Sequence, residues 1–409
     1  MPTIPFSQIR AGMALAADLT SPDGRYRLPA GTVLAEGHLK WLRAWRIREI
    51  ETTPESTPQS QPAAAPDPAP TPEEATQRRF AGLPADDPTV AALTDLALAR
   101  AETLGAVRPA RPPAANRPKP AEAPTPEAIL AADPVLVSLP EVFMRIREVL
   151  SDPSSTVEEA SAVIGKDPSL TAKLLKLVNS AFYARTLRVS GGLPPGPVDT
   201  LSRAVMLIGL NQLSTLAMGV SVLPLFKDIP AECIDLRQFW RHSVGVGLLA
   251  KLIAVTLRDP SPERFFVAGL LHDIGRLVLY KQVPAAAGAS LAEAAASGRH
   301  LVDVERELFG FDHGELGGML LHKWRFPESL EQAVWRHHAP EGGEMPLESS
   351  IICVADMIAG AVLPGSSGER LVPRLDPAAW ALVGLAPSDL PELVETAEAH
   401  FEVICAMFA

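Results

Sequence analysis

Histidine and aspartate residues that could bind a metal are concentrated in one stretch of the sequence. Seven of the nine histidines lie between His242 and His338. Five of these histidines and two aspartates give a set of candidate metal-site residues: His242, His272, Asp273, His313, His337, His338 and Asp356. Imidazole nitrogens and carboxylate oxygens suit first-row divalent metals such as Fe, Mn and Zn. The same side chains could also form a buried hydrogen-bonded network without metal, because an imidazole paired with a carboxylate is already satisfied.

The elements that must bring these side chains together are predicted to be helices. Residues 128–409 have apolar residues at helical spacing almost throughout, and strand signals are nearly absent. Helix starts are marked by Thr156 with Glu159, which form a capping box, and by Asp235, an N-cap residue. Each candidate ligand lies on or at the end of a predicted helix, and facing helices can direct such groups into the interior of a bundle. The sequence therefore predicts an all-α domain large enough to bury a substantial core.

Two shorter regions precede this domain. Residues 1–52 are predicted to form a small α+β module, in which Asp23-Gly24 is a favourable hairpin turn between two strand-like runs. Residues 53–127 are predicted to be a disordered Pro/Ala-rich linker, because such a composition cannot bury enough apolar surface to offset its ordering entropy. One helix, 88–104, is predicted within the linker, as a helical island in a tether.

Composition argues against several classes of partner. The net charge is 37 − 48 = −11, which disfavours long-range attraction to nucleic acid or anionic lipid. No secretory signal is visible, and the longest apolar segment, Ser243 to Leu257, contains Lys251 and is too short to span a bilayer. The three cysteines, Cys233, Cys353 and Cys405, lie far apart in apolar runs, which is typical of buried thiols in a reducing compartment. We therefore expect a cytoplasmic protein without nucleic-acid or membrane partners.

The order of the motifs resembles that of HDOD (HD-related output) domains, which are members of the HD superfamily. The resemblance extends from about Leu139 to Val362 and includes LPEVFMRI, DPSLTAKLLKLVNSAFY, AVMLIGLNQL, FWRHS, FVAGLLHDIGRLVL, GFDHGELGGMLLHKWRFP and AVWRHH. It implies an HD-like multi-helix bundle that serves bacterial signalling as a regulatory output. The first fifty residues also resemble a small module that precedes some HD-GYP domains.

The resemblance assigns roles to the candidate ligands. Four of them match the first metal site of the HD superfamily: His242, His272, Asp273 and Asp356. His313 and one of His337 and His338 match the further ligands of two-metal members. Arg276 and His337 are expected to lie just outside the ligand set and to support it.

Two departures from the catalytic members bear on activity. The lysine that follows HDIG in the family is Arg276 here, and arginine cannot donate a proton near neutral pH. The Gly-Tyr-Pro element of cyclic-dinucleotide phosphodiesterases is also missing, and the only tyrosines of the chain are Tyr26, Tyr183 and Tyr280. We therefore do not expect hydrolysis of cyclic dinucleotides.

Two functions from different classes remain. The sequence favours a regulatory module that acts through protein–protein interaction, with other signalling proteins as partners and a homodimer left open. The alternative is a metal-dependent phosphohydrolase or phosphodiesterase, in which Asp273 would be catalytic and the bound ion would lower the pKa of a water molecule. His300 and His322, the other histidines of this stretch, are expected to be solvated.

Overall fold

The computed structural model divides the chain into two compact units, residues 1–70 and 71–409. In the first unit it describes residues 3–5, 9, 13–20, 27–34, 38, 42, 47 and 49–51. In the second unit it describes residues 71–104, 124–132, 140–152, 154–183 and 197–408.

The first unit contains short antiparallel strands. They are β1 (Thr3–Pro5), β2 (Leu19–Thr20), β3 (Arg27–Leu28) and β4 (Glu49–Glu51). β1 pairs with β4, and β2 pairs with β3. A small core holds them together, formed by Ile9, Leu15, Leu28, Leu34, Leu42 and Ile50. The prediction of a small strand-containing module is confirmed, whereas the Asp23-Gly24 turn lies outside the described residues.

The second unit consists of helices and the turns that connect them, and its described residues form no strand. Its first helices are α1 (Pro72–Arg79), α2 (Pro88–Leu104), α3 (Pro126–Ala132), α4 (Glu141–Ser151), α5 (Val157–Ile164), α6 (Pro168–Asn179), α7 (Leu201–Ile208) and α8 (Leu210–Ser221). The helices that follow are α9 (Leu236–Thr256), α10 (Glu263–Leu271), α11 (Ile274–Gln282), α12 (Pro284–Ser297), α13 (Leu301–Phe309), α14 (His313–Lys323), α15 (Glu328–Trp335), α16 (Pro346–Val362), α17 (Pro377–Val383) and α18 (Leu390–Phe408). Short 3-10 helices occupy Leu223–Phe226, Pro340–Gly342 and Pro387–Asp389. The prediction of an all-α bundle is confirmed.

Local sequence signals begin several of these helices. The Thr156 hydroxyl accepts from the backbone N–H of Glu159, and the Glu159 carboxylate accepts from the N–H of Thr156, so α5 has the predicted capping box. The Asp235 carboxylate accepts from two N–H groups of the first turn of α9. These bonds satisfy backbone donors that a helix leaves without partners at its start.

Helix α9 lies at the centre of the bundle and packs against α10, α16 and α18. Its close crossing with α10 depends on two glycines, since a Cβ at Gly269 would lie 2.6 Å from the backbone nitrogen of Gly247. A second close approach joins α11 to α14, where a Cβ at Gly275 would lie 2.0 Å from the carbonyl oxygen of His313. Both crossings bring predicted ligand positions together, because the helices involved carry them.

The stretch predicted as linker is partly folded onto the second unit. Helix α2 has the predicted limits, but its apolar face is buried in the main core through Val90, Leu93 and Ala97. The Arg100 guanidinium also donates to the Glu398 carboxylate, at 2.7 Å between Nη2 and Oε2. The second unit therefore begins at Thr71 rather than near residue 128, because α2 has an apolar face that α18 and neighbouring helices cover. Residues 53–70 and 105–123 lie outside the described residues.

Within the described part of the chain, no single helix combines the length and apolar character needed to cross a membrane. Two consecutive segments, Leu201–Ile208 and Leu210–Phe226, have sufficient length and apolar character only when taken together, and the chain bends sharply between them.

Candidate metal centre and adjoining cavity

The six predicted ligands and His337 meet in one buried region of the second unit. His242 lies in α9, His272 ends α10, and Asp273 begins α11. The other four lie at the start of α14, in the turn after α15 and in α16: His313, His337, His338 and Asp356. Helix packing thus gathers side chains that are separated by up to 114 residues in sequence.

Three of these side chains form a first group, which consists of His242, His272 and Asp356. The Nε2 atoms of His242 and His272 lie 3.1 and 3.7 Å from Oδ1 of Asp356. One potential ligand atom from each residue lies within 4.8 Å of the others, a spacing that one cation could bridge.

A second group consists of Asp273, His313, His337 and His338. Nε2 of His313 lies 2.9 Å from Oδ1 of Asp273 and 2.8 Å from Nε2 of His338. Asp273 connects the two groups, because its other oxygen, Oδ2, lies 3.3 Å from Nε2 of His272. His337, expected to support the ligands from outside, therefore belongs to the group with His338.

Backbone carbonyls fix the orientation of two imidazoles. Nδ1 of His272 lies 2.7 Å from the carbonyl oxygen of Gly269, and Nδ1 of His337 lies 2.7 Å from that of Val334. Since a carbonyl oxygen only accepts, each Nδ1 carries the proton and donates. In the neutral imidazole the Nε2 atom then has a lone pair, which is the form that ligates a metal.

Several buried polar atoms in the centre have no hydrogen-bond partner. They are Nε2 of His272, Nε2 of His337 and Oδ1 of Asp356. A buried acceptor without a partner is costly, and a cation in each of the two groups would satisfy these atoms. The donor set also has the mixture of imidazole and carboxylate that divalent transition metals prefer. The residues therefore fit a metal centre.

Burial and neighbouring charges shift the pKa values of the residues in the centre in opposite directions. Burial and the neighbouring charged histidines lower the pKa of His337 to about 3. Burial and Arg276 act to lower the pKa of His313, but attraction to Glu305 and Asp273 outweighs them and raises it to about 9. Burial acts against ionisation of Asp273, yet Arg276 and the two adjacent histidines hold its pKa well below the usual range.

Arg276 lies directly against Asp273, as the sequence predicts for a supporting residue. Its Nη1 donates to Oδ2 of Asp273 at 3.1 Å and to Oγ of Ser367 at 2.5 Å. Burial alone would lower the pKa of Arg276, but Asp273 and Glu305 raise it further above its ordinary value. The guanidinium is therefore a fixed positive charge beside the carboxylate that connects the two groups.

Glu305 is a site residue that sequence reasoning missed. Its carboxylate accepts from Nδ1 of His313 at 2.5 Å and from the backbone N–H of His313 at 3.1 Å. The available signal was a glutamate on the apolar face of α13, between Leu301 and Leu308. The side chain is almost fully buried, and it has the position of the carboxylate that typically orients a metal-binding histidine.

The expectation for His300 is wrong, whereas that for His322 is confirmed. His300 is buried at the start of α13 and lines a cavity beside the centre. It is enclosed because residues 363–376 fold over this helix start, where Glu369 accepts from the N–H of Leu301 at 2.8 Å. His322 is exposed and pairs with Glu331.

The cavity has a volume of about 530 Å³ and adjoins the centre at His242, His337, His338 and Asp356. One wall is the segment 363–376, which lies so close to α9 that a Cβ at Gly365 would be 2.4 Å from the backbone nitrogen of His242. Of the three cysteines, Cys233 and Cys405 are buried as predicted, whereas Cys353 is partly exposed and lines this cavity.

Comparison with solved structures supports the fold. A proposed phosphohydrolase from Shewanella amazonensis is 24% identical, with a TM-score of 0.53, and the match covers 70% of this chain and 99% of that one. An HDOD domain protein of unknown function from Geobacter sulfurreducens is 22% identical, with a TM-score of 0.51, covering 69% and 95% of the two chains.

Sequence comparison identifies the family. An uncharacterized protein from Treponema pallidum is 28% identical over 244 residues, which is 58% of this chain but only 44% of that relative's length. The profile of the HDOD domain matches residues 136–340, half of the chain. This match covers most of the ligand set but ends before Asp356 and the segment 363–376. The chain belongs to the HDOD domain family.

Proposed function

We propose that the chain is a metal-binding regulatory module of bacterial signal transduction, which acts by binding other signalling proteins rather than by hydrolysis. The HDOD match supports a regulatory HD-like module. The family match does not address metal binding or whether the chain hydrolyses a substrate. The geometry of the centre supports the proposal on each of these two points.

One observation carries the metal part of the proposal. Nε2 of His337 is buried, has no hydrogen-bond partner and belongs to an imidazole whose pKa is lowered to about 3, so protonation cannot satisfy it near neutral pH. A purely hydrogen-bonded network would leave this atom unsatisfied, whereas a metal ion would not. The ion would be held by the first group, by the second group or by both through Asp273. When bound, a divalent ion of this kind lowers the pKa of a coordinated water molecule.

The environment of Asp273 argues against proton-transfer chemistry. Arg276 occupies the position where catalytic relatives have lysine, and its guanidinium bonds to Asp273 and Ser367. Because arginine stays protonated, it neutralises the carboxylate but cannot deliver a proton to a leaving group. Tyr280 is buried and donates to the carbonyl oxygen of Ser367, so it does not replace the missing Gly-Tyr-Pro tyrosine.

Hydrolysis of a phosphate ester remains the second candidate, and one observation favours it. The ligand set is complete for two ions, and a cavity of about 530 Å³ adjoins it. A regulatory module without a small-molecule ligand would not require such a cavity.

Metal analysis and an activity screen separate these functions. The full chain would be purified without chelators, its metal content measured, and hydrolysis of phosphomonoesters, phosphodiesters and nucleotides tested. Asp273→Ala removes the connecting carboxylate, and Asp228→Ala, an exposed aspartate outside the centre, is the matched control.

Each outcome has a distinct meaning. Metal that is lost in Asp273→Ala and kept in Asp228→Ala, without turnover in any form, is the expected result. Turnover that Asp273→Ala abolishes would replace the regulatory proposal with a phosphohydrolase. Absence of metal after incubation with Mn²⁺, Fe²⁺ and Zn²⁺ would leave only a buried polar network.

A further inference from the structure

We propose that the cavity beside the centre binds a small organic polyanion, and that arginines outside the matched HDOD region select it. This inference rests on the proposed function insofar as the metal centre forms one end of the same cavity. Five arginines from separate parts of the second unit line the cavity: Arg79, Arg276, Arg306, Arg370 and Arg374. Three of them, Arg79, Arg370 and Arg374, lie outside residues 136–340.

Arg79 provides the strongest argument. Its guanidinium donates to the backbone carbonyl oxygens of Gly360 and Ala361, at the end of the helix that carries Asp356. Its own carbonyl oxygen accepts from the N–H of Val372 at 2.7 Å, which fixes α1 to the cavity wall. Among the described residues no carboxylate pairs with Arg79, and burial lowers its pKa to about 10. This cation of the cavity lining is therefore compensated only by the partial negative charge at the end of α16, and an anionic ligand would supply a full counter-charge.

The other arginines retain donors for a ligand. Arg374 pairs with Asp303 through Nη1 and Nη2, and Arg306 pairs with Asp312 through Nε and Nη2. Arg276 also lines the cavity, but it is buried and paired with Asp273 and Glu305, so it contributes charge rather than free donors. A guanidinium has five N–H donors, and its planar shape suits phosphate and carboxylate groups.

The carboxylates of the lining are largely engaged by the protein. Glu369 accepts from the N–H groups of Leu301, Arg370 and Leu371, and Asp376 accepts from two N–H groups at the start of α17. Asp356 belongs to the metal centre. Glu341, the remaining acidic residue of the lining, is exposed to solvent. Among the described residues of the lining, Arg79 is thus a guanidinium that no carboxylate neutralises.

Cavity size and the remaining lining define the ligand class. A volume of about 530 Å³ lies within the roughly 300–1,000 Å³ typical of sites for small organic molecules. Val302, Leu371, Leu375 and Pro377 give part of the wall an apolar character that suits an organic body. The shared chemistry is thus two or more negative charges on a compact organic molecule, carried either by phosphate groups, as in a nucleotide, or by several carboxylates.

Isothermal titration calorimetry on the full chain tests this inference with three probes. ADP carries phosphates, tricarballylate carries three carboxylates, and adenosine is the neutral counterpart of ADP. Arg374→Gln removes one exposed guanidinium of the lining. Arg299→Gln is the matched control, because Arg299 forms a similar exposed pair with Glu307 beside the same helix but does not line the cavity.

We expect at least one polyanion to bind at millimolar or lower concentration, adenosine not to bind, and Arg374→Gln to weaken binding about tenfold while Arg299→Gln has no effect. Arg79→Gln should weaken binding at least as much, with thermal unfolding as the check that α1 remains folded. Binding of ADP alone would assign the charge to phosphate, and binding of tricarballylate alone would assign it to carboxylates. Failure of both polyanions, or equal affinity in wild type and both lining variants, would overturn the inference.

Metal content measured on the same samples keeps the two proposals distinguishable. Arginine-dependent binding by protein that takes up none of Mn²⁺, Fe²⁺ and Zn²⁺ would uphold the polyanion site and remove the metal centre. Bound metal without polyanion binding would uphold the metal centre and overturn the polyanion site.

Discussion

Two clusters of buried ionisable side chains in the second unit are satisfied in different ways. In the first, the Lys251–Glu263 pair, Nζ of Lys251 lies 3.3 Å from Oε1 of Glu263 and 3.2 Å from the ring centre of Tyr183. Neither Nζ of Lys251 nor Oε2 of Glu263 has a hydrogen bond, but the cation has both a counter-ion and an aromatic face. In the His/Asp centre, by contrast, buried acceptor atoms face one another, and Nε2 of His337 has no partner. The comparison separates a buried ion pair, whose charges balance within the core, from a set of acceptors that fits a cation.

The largest expected effect comes from breaking the Lys251–Glu263 pair. Lys251→Met leaves the buried Glu263 without its counter-ion, which should lower the free energy of unfolding by about 3–5 kcal/mol in chemical denaturation. The double variant Lys251→Met/Glu263→Leu removes both charges and should recover most of that loss. If the double variant were as unstable as the single one, lost packing rather than an unpaired charge would explain the result.

The His/Asp centre should respond to metal, and the Lys251–Glu263 pair should not. At a free metal concentration about 100-fold above Kd, binding to the native state alone stabilises it by about 2.7 kcal/mol. Wild type and Lys251→Met should therefore both show a higher Tm with Mn²⁺ or Zn²⁺ than with EDTA. Asp273→Ala should show no such difference. A metal-dependent increase that persists in Asp273→Ala would locate the ion elsewhere.

Substitution of Glu305 should have a smaller effect on metal binding than loss of Asp273. Glu305→Gln replaces the carboxylate that accepts from Nδ1 of His313, and loss of such an orienting group typically weakens metal affinity by about 10- to 100-fold. Glu307→Gln, two residues along the same helix and exposed, should leave metal affinity unchanged. Equal metal affinity in the two variants would remove Glu305 from the support of the centre.

Local features were predictable from the sequence, and so was the set of His and Asp side chains that meet in the centre. The capping box at Thr156, the N-cap at Asp235 and the limits of the 88–104 helix depend on neighbouring residues alone. The ligands were identified because histidines next to apolar helical positions are unusual, and because their order resembles that of a known family.

Features that depend on distant surfaces were not predictable. Nothing within residues 88–104 indicates that their apolar face is covered by the core or that Arg100 meets Glu398. The cavity wall at 363–376 depends on the close contact of Gly365 with α9, which is a tertiary property. Arg79 is part of the cavity only because α1 docks there, so the polyanion site could be inferred only from the fold.

The effect that is smallest per pH unit comes from titration of Lys251 in the Lys251–Glu263 pair. Burial lowers the pKa of Lys251 to about 8, although Glu263 partly opposes the shift. In the unfolded chain the pKa of lysine is about 10.4, so between about pH 8 and pH 10 the unfolded state holds more protons than the folded state. The free energy of unfolding should therefore rise with pH in this window, by up to about 1.4 kcal/mol per pH unit.

The contribution of Lys251 is isolated by subtracting the pH profile of Lys251→Met from that of wild type, because other groups titrate in both proteins. Denaturation is measured with EDTA present, so that metal binding at the His/Asp centre does not contribute. A difference profile that is flat from pH 8 to pH 10 would mean that Glu263 and the Tyr183 ring fully compensate the buried ammonium. The pKa of Lys251 would then equal that of a lysine in a surface ion pair. Burial alone would then not explain how this pair differs from the His/Asp centre.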